Sequence, residues 1–260
     1  MVKGLYTAYT GMRNEQKRMD IITNNLANTD TTGFKKEGVT NQAFSDVLAF
    51  RIKDKSTPGV DAKHIGSMNL GVKLGETYRD FSQGAFKTTD NTFDLALSGE
   101  GFFTIEFQDK EGNTSTMYTR DGNFNMTQDG YLVTQDGDFV LGANGQHIQL
   151  NTTAQQTTID RQGRIYQDGT LRATLQINDF EDYNYLEMYG ENLYTEVEGA
   201  TRKAPDCQVH QGFLEASNVE TVSEMVEMIT VTRAYEAHQK VIQAYDDSLQ
   251  ISATQIGRVQ

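Results

Sequence analysis

Apolar residues recur at seven-residue intervals near both ends of the chain. Leu5, Met12, Met19 and Leu26 form one row, and Ala8 and Ile22 supply a three-residue offset. Interleaved rows at this spacing define one face of a helix. A helix is therefore predicted from the start to about Asn28. Glu15 interrupts the offset row, and Gly33 is the expected place for the chain to turn out of the helix. At the other end Met228, Tyr235, Ile242, Leu249 and Ile256 repeat every seven residues. Val222 and Ile229 give a second row, with Met225 and Val226 beside it. No Pro or Gly falls between Val219 and Ile256, so this reads as one long amphipathic helix. Ser217 and Asn218, with Glu220 following, are candidate N-cap residues.

The heptads stop between these ends and turn signals replace them. Asp121-Gly122, Asp129-Gly130, Asp136-Gly137, Asn144-Gly145 and Asp168-Gly169 are dipeptides that favour tight hairpins. Short β-prone runs lie among them, such as Tyr131–Thr134, Phe139–Leu141 and Ala173–Ile177. The expected class is α+β: paired, coiled-coil-like terminal helices, an extended or β linker, and a central antiparallel all-β domain. The expected divisions are 1–30 for the first helix, 31–75 for the connecting region, 76–210 for the β-rich domain and 211–260 for the last helix. Pro58 and Pro205 sit in expected linkers.

Charge narrows the function classes. The chain has 36 Asp and Glu against 23 Lys and Arg, a net charge of -13. Nucleic-acid and anionic-lipid surfaces both require clustered positive charge, so neither partner is expected. No stretch is apolar enough to insert in a bilayer, and no cleavable secretory signal is recognisable. Cys207 is the single cysteine, which excludes an intrachain disulfide and a thiolate metal cluster. The four histidines, His64, His147, His210 and His238, lack metal-site helical spacing. No phosphate-binding loop or nucleophile elbow occurs. The Asp-Gly alternation around Asp129–Asp138 lacks the calcium-loop pattern and is explained by turns. No enzyme activity, cofactor or metal is expected.

Four blocks carry a family resemblance. The segment Asn24-Asn25-Leu26-Ala27-Asn28-Thr29-Asp30-Thr31-Thr32-Gly33-Phe34-Lys35 is similar to the signature of flagellar rod and hook proteins. Asp94–Phe103 and Tyr118–Phe124, the latter continuing through Gly130–Val133 to Gly142, resemble the rod members. So do Gln211–Val219, Glu224-Met225-Val226 and Arg233-Ala234-Tyr235-Glu236. The resemblance implies a structural subunit of the basal-body rod that polymerises into a helical drive shaft for motility. It implies inner paired terminal helices, an outer β domain, and unfolded passage through the flagellar type III export apparatus without a cleaved signal. The implied partners are further copies of the chain, adjacent rod subunits, hook protein and bushing ring proteins. The size favours a rod subunit over a hook protein. The distal type is expected on abundance, with the proximal type as alternative, since Lys3–Ala8 leans that way. A peptidoglycan-active enzyme would need an added domain with paired carboxylates, and a plain coiled-coil adaptor would not need the β blocks.

Under this resemblance the assembly interface is expected at Leu5, Met12, Met19, Ile22 and Leu26 and at Met228, Ile229, Tyr235, Ile242, Leu249 and Ile256. An intramolecular coiled coil is the alternative for the same rows. Asn24, Asn25 and Asn28 are expected to bond neighbouring backbones, or else to mark a frayed helix end. Gly33 is expected to serve backbone geometry, and Gly99 and Gly101 to permit a bulge beside the core aromatics Phe102 and Phe103. Arg233 and Glu236 either pair across subunits or line a solvated face. Neither helix alone buries enough apolar surface to offset the entropy of ordering it. The ends are thus expected to be largely disordered in the free monomer and to fold in the assembly.

Overall fold

The computed structural model describes residues 2–51, 63–109, 112–190 and 192–256; the expected Pro58 linker lies outside them. Two helices occupy the ends, α1 (Val2–Ala27) and α2 (Thr221–Ile256), with antiparallel β structure between. The class is α+β with paired terminal helices. The chain divides into two compact units, each discontinuous in sequence. The first comprises residues 1–26, 37–79 and 221–260; the second comprises 27–36 and 80–220.

In the first unit, α1 and α2 run antiparallel in a heptad register. Gly4 lies against Tyr245, Gly11 against His238, and Asn25 beside Glu224. Seven residues forward in α1 thus match seven back in α2. The seam keeps the offset row Ala8 and Ile22, but elsewhere it runs one residue before the Leu5–Leu26 row. Ala8, Gly11, Asn14, Ile22 and Asn25 are buried, whereas Leu5, Met12, Met19 and Leu26 are half-buried on its flank. Small residues were the missed signal: glycines admit the large side chains of α2, and a leucine row does not. A Cβ added at Gly11 would come within 2.6 Å of the His238 ring. Arg18 ties the middle of the seam, bonding Glu227 at 3.0 Å and Glu15 at 3.2 Å.

Two ribbons complete this unit. Strands β1 (Glu37–Ala43) and β4 (Val72–Arg79) pair antiparallel, as do β2 (Val47–Arg51) and β3 (Lys63–Met68). A register shift between Val39 and Asn41 brings the Thr40 hydroxyl to the backbone of Glu76, where it donates to the carbonyl and accepts from the N–H. The ribbon touches α1 where Gly71 meets Thr10 and where Asn14 donates to Asn41 at 3.0 Å.

The second unit holds a nine-stranded antiparallel sheet around β7 (Phe102–Gln108). Beside it lie β5 (Phe86–Thr88), β6 (Leu95–Glu100) and β8 (Thr114–Thr119). β7 pairs β8 over its length, and β6 pairs the strand Asp206–Gln211. Alternate residues of these strands fill one core containing Leu95, Leu97, Phe103, Ile105 and Phe124. A second, aromatic core joins Phe102, Tyr118, Phe180 and Tyr194. Phe102 and Phe103 are both fully buried. Gly99 and Gly101 have positive φ, and a Cβ at Gly99 would strike the Asp206 backbone.

Most expected turns appear. Asp168 and Gly169 both take positive φ at a two-residue hairpin between Arg164–Gln167 and Thr170–Thr174. Gly130, Gly137 and Gly145 also turn with positive φ. Asp121-Gly122 departs from expectation: it forms no hairpin, because Gly122 is pressed against the Leu95 carbonyl and Asp121 is held by Thr32.

The packing at Gly11 generates a prediction. At protein concentrations where the terminal helices are ordered, Gly11→Leu should force His238 and α2 away, lowering helical circular dichroism and its melting midpoint. The near-ultraviolet aromatic signal of the β unit should persist. Unchanged helicity would contradict the close seam.

Candidate functional site

No described helix is long and apolar enough to cross a membrane. No cluster of potential metal ligands occurs among the described residues. Burial raises the Cys207 thiol above its usual range, which suits an inert side chain. The functional geometry instead lies in two constellations, one in each unit.

In the second unit, three sequence blocks converge on Glu215. Its Oε1 accepts from the Lys35 ammonium at 2.6 Å and from the Gly84 N–H at 3.0 Å. Its Oε2 accepts from the Arg120 guanidinium at 3.3 Å. All three side chains are almost fully buried, with Glu215 1% exposed. Lys35 also donates to the Ser82 carbonyl, and Arg120 to the Gly99 carbonyl while lying over the Phe102 ring. Burial pushes the Lys35 pKa down; Glu215 opposes that shift and Arg120 adds to it.

The backbone repeats the connection. Gly33 N–H donates to the Glu215 carbonyl at 2.8 Å, with Gly33 at φ 68°. A Cβ there would stand 2.6 Å from the Arg120 backbone. Gly33 therefore serves a close approach six residues beyond the end of α1 rather than the helix exit. Asn218, read as an N-cap candidate, instead accepts from Lys36 N–H at 2.7 Å and donates to the Asp80 carbonyl. Asp80 N–H donates to the Lys36 carbonyl. The signature segment and the Gln211–Val219 block are thus parts of one lock. Its charged members were legible only as block residues. The signal in the sequence was charge set directly against apolar residues, in Phe34-Lys35 and in Leu214-Glu215-Ala216.

Thr32 extends the lock by donating to Asp121 at 2.7 Å. Burial raises the Asp121 pKa, with the Thr32 and Asn123 donors opposing and Asp136 and Asp94 adding. Asn28 accepts from the Thr31 hydroxyl.

In the first unit, Asn25 is buried and bonds the Glu37 backbone in both directions, while also donating to Glu224. Its backbone partner is therefore in its own chain. Asn24 is exposed. Along α2, Met228, Tyr235 and Ile242 are half-buried, whereas Ile229, Arg233, Glu236 and Leu249 are exposed. The Ile256 side chain lies outside what is described. A second apolar stripe, Val222, Met225, Val226 and Ile229, is 48–69% exposed at helical i, i+3, i+4, i+7 spacing.

The Glu215 lock yields a stability prediction. Glu215→Ala strands two buried cations and should cost about 3–5 kcal/mol in denaturant unfolding of the β unit. A change below about 1 kcal/mol would contradict a paired buried triad.

The Asp121 shift yields a pH prediction. Its raised folded pKa means the folded state holds a proton that the unfolded chain has lost, so its stabilising contribution falls as pH rises above the ordinary carboxylate value. Asp121→Asn keeps an acceptor for Thr32 and removes the desolvated charge. The variant should match or exceed the wild type at neutral pH and lose that advantage in acid; Asp121→Ala should be less stable throughout. Melting curves across pH would show this.

Sequence families match the same regions. Residues 5–35 match the flagella basal body rod protein family, 96–167 the flagellar hook protein FlgE/F/G D1 domain, and 210–256 the flagellar basal body rod FlgEFG protein C-terminal family. The chain is 35% identical to the flagellar basal-body rod protein FlgG of Bacillus subtilis, over 96% of this chain and 97% of that protein. It is 32% identical to the flagellar hook-basal body complex protein FlhO of the same organism, over the whole of both. It is also 32% identical to the flagellar basal-body rod protein FlgF of Caulobacter vibrioides, over 100% and 98%. With full-length relatives above 30% identity and a signature segment that closes the Glu215 lock, the chain belongs to the flagellar basal-body rod protein family, whose members are structural subunits of the flagellar basal body and not enzymes.

Proposed function

We propose that this chain is a distal-type rod subunit that polymerises through its terminal helices into a torque-bearing helical shaft. The observation that carries the polymerisation is the exposed stripe Val222, Met225, Val226 and Ile229. It lies on a helix that already meets α1 through Glu224, Glu227, His238 and Tyr245, so a further helix is needed to cover it. Relatives named FlgG recur among the matches, including those of Bacillus subtilis, Agrobacterium fabrum and Caulobacter vibrioides, which supports the distal type over the FlgF-like proximal one. Hook protein, neighbouring rod subunits and ring proteins are the proposed partners. Export without a cleaved signal fits a chain with one cysteine and hence no intrachain disulfide to trap a fold. The terminal helices are proposed to become fully ordered only on assembly, because the pair leaves this stripe in water.

Electron microscopy of concentrated protein should show tubes, and Val226→Glu with Ile229→Glu should abolish them while leaving the β unit folded. Amide exchange near Met12 and Ile242 should be fast in dilute monomer and slow in tubes. Binding to purified hook protein supports the distal type; binding only to other rod subunits would identify the proximal one.

A further inference from the structure

The first unit carries a cleft of about 350 Å³ between α1 and the β1–β4 ribbon. Tyr9, Phe44, Val72 and Leu74 give it apolar walls, and buried Asn14 lines it. The Oδ1 of Asn14 is buried without a hydrogen-bond donor. Arg13, Lys17 and Lys73 supply three cations to the lining. Among the described residues neither Arg13 nor Lys73 makes an ion pair, and Lys17 reaches only the exposed Asp20 at 3.6 Å. In a chain of net charge -13, a cationic cleft with apolar walls is an unusual local surface.

A complementary feature lies at the far end of α2. The register that sets Gly4 against Tyr245 brings the start of α1 level with about residue 247, so the last two turns of α2 run on past α1. Leu249 and Ile251 are 47% and 54% exposed there. Asp246 and Asp247 sit at the base of the overhang, exposed and without ion pairs among the described residues. The overhang and the cleft therefore match in both charge and apolar character.

We propose that the α2 overhang of one copy docks in the Arg13–Lys17–Lys73 cleft of a second copy. Asp246 and Asp247 meet the cations, and Leu249 or Ile251 enters between Tyr9, Phe44 and Leu74. The two surfaces differ, so the contact is head-to-tail and propagates without closing. At 1.5 Å per helical residue, the span from Arg13 to the overhang sets successive contacting copies about 20 Å apart along the helix axis. The inference rests on the polymerising-subunit reading and names which surfaces meet.

The test uses the full chain with Cys207→Ser. Arg13→Glu with Lys17→Glu should raise the critical concentration for tubes about tenfold, and so should Asp246→Lys with Asp247→Lys. The fourfold variant should recover much of that loss. A mixture of Lys17→Cys and Asp247→Cys chains should form a mixed disulfide under polymerising conditions. Circular dichroism would confirm that the variants keep the wild-type fold. Wild-type-like assembly by both charge variants, or loss without reciprocal rescue and without the mixed disulfide, would overturn this contact while leaving the subunit reading intact. A wild-type chain that stays monomeric at every concentration would overturn the subunit reading, and the contact with it.

Discussion

The carboxylate of Glu215, buried between Lys35 and Arg120, is the constraint on which the second unit depends. Three blocks far apart in sequence must arrive together, because each buried charge is tolerated only when the others are in place. An apolar cluster of similar volume would hold these segments at least as strongly, but it would accept many arrangements. The ion triad accepts few. The short backbone bond from Gly33 to the same residue fixes the approach further, since only glycine takes that φ beside the Arg120 backbone.

The first unit relies on a different constraint, the absence of side chains. Gly4, Ala8 and Gly11 leave room for Tyr245 and His238, whose long side chains reach in to the α1 backbone. Glycine inside a helix costs roughly 1 kcal/mol relative to alanine. That loss is accepted where the contact requires it, and α1 is a weak helix in isolation as a result. The same packing leaves one apolar stripe of α2 in water. The pair therefore buries one face of α2 and leaves the other exposed.

Much of this was legible in the sequence, and the exceptions have physical causes. The terminal helices and hairpin turns follow from local spacing and from backbone preference at Asp168-Gly169 and its counterparts. Ala8 and Ile22 of the seam lay in the rows read from the sequence; Gly4, Gly11 and Asn25 fall one residue before the Leu5–Leu26 row, because periodicity weighs large apolar residues while these contacts are made by small or polar ones. Asp121-Gly122 was read as a hairpin because dipeptide chemistry carries no information about the Leu95 carbonyl that confines it. The lock at Glu215 was visible as family blocks but not as a site. The first of two lysines after Phe34 and the Glu after Leu214 look like surface charges until the fold brings them to 2.6 Å.

The lock also bears on where the chain segments of the second unit meet. The chain passes between the two units at residues 26–27, 36–37, 79–80 and 220–221. Within the second unit, three of those passages begin from segments bonded to one another. Asn218 accepts from Lys36 and donates to the Asp80 carbonyl, and Asp80 donates to Lys36. The three segments are therefore held to one another by hydrogen bonds inside the second unit. Directly beneath lie Lys35 and Glu215, whose separation would expose uncompensated charge to a low-dielectric interior. Rupture at this point is resisted by electrostatics that grow less screened as the interior stays dry. Lys35 precedes Lys36 and Glu215 lies three residues before Asn218, so the buried triad secures, inside the second unit, the same segments that the Asn218 bonds join.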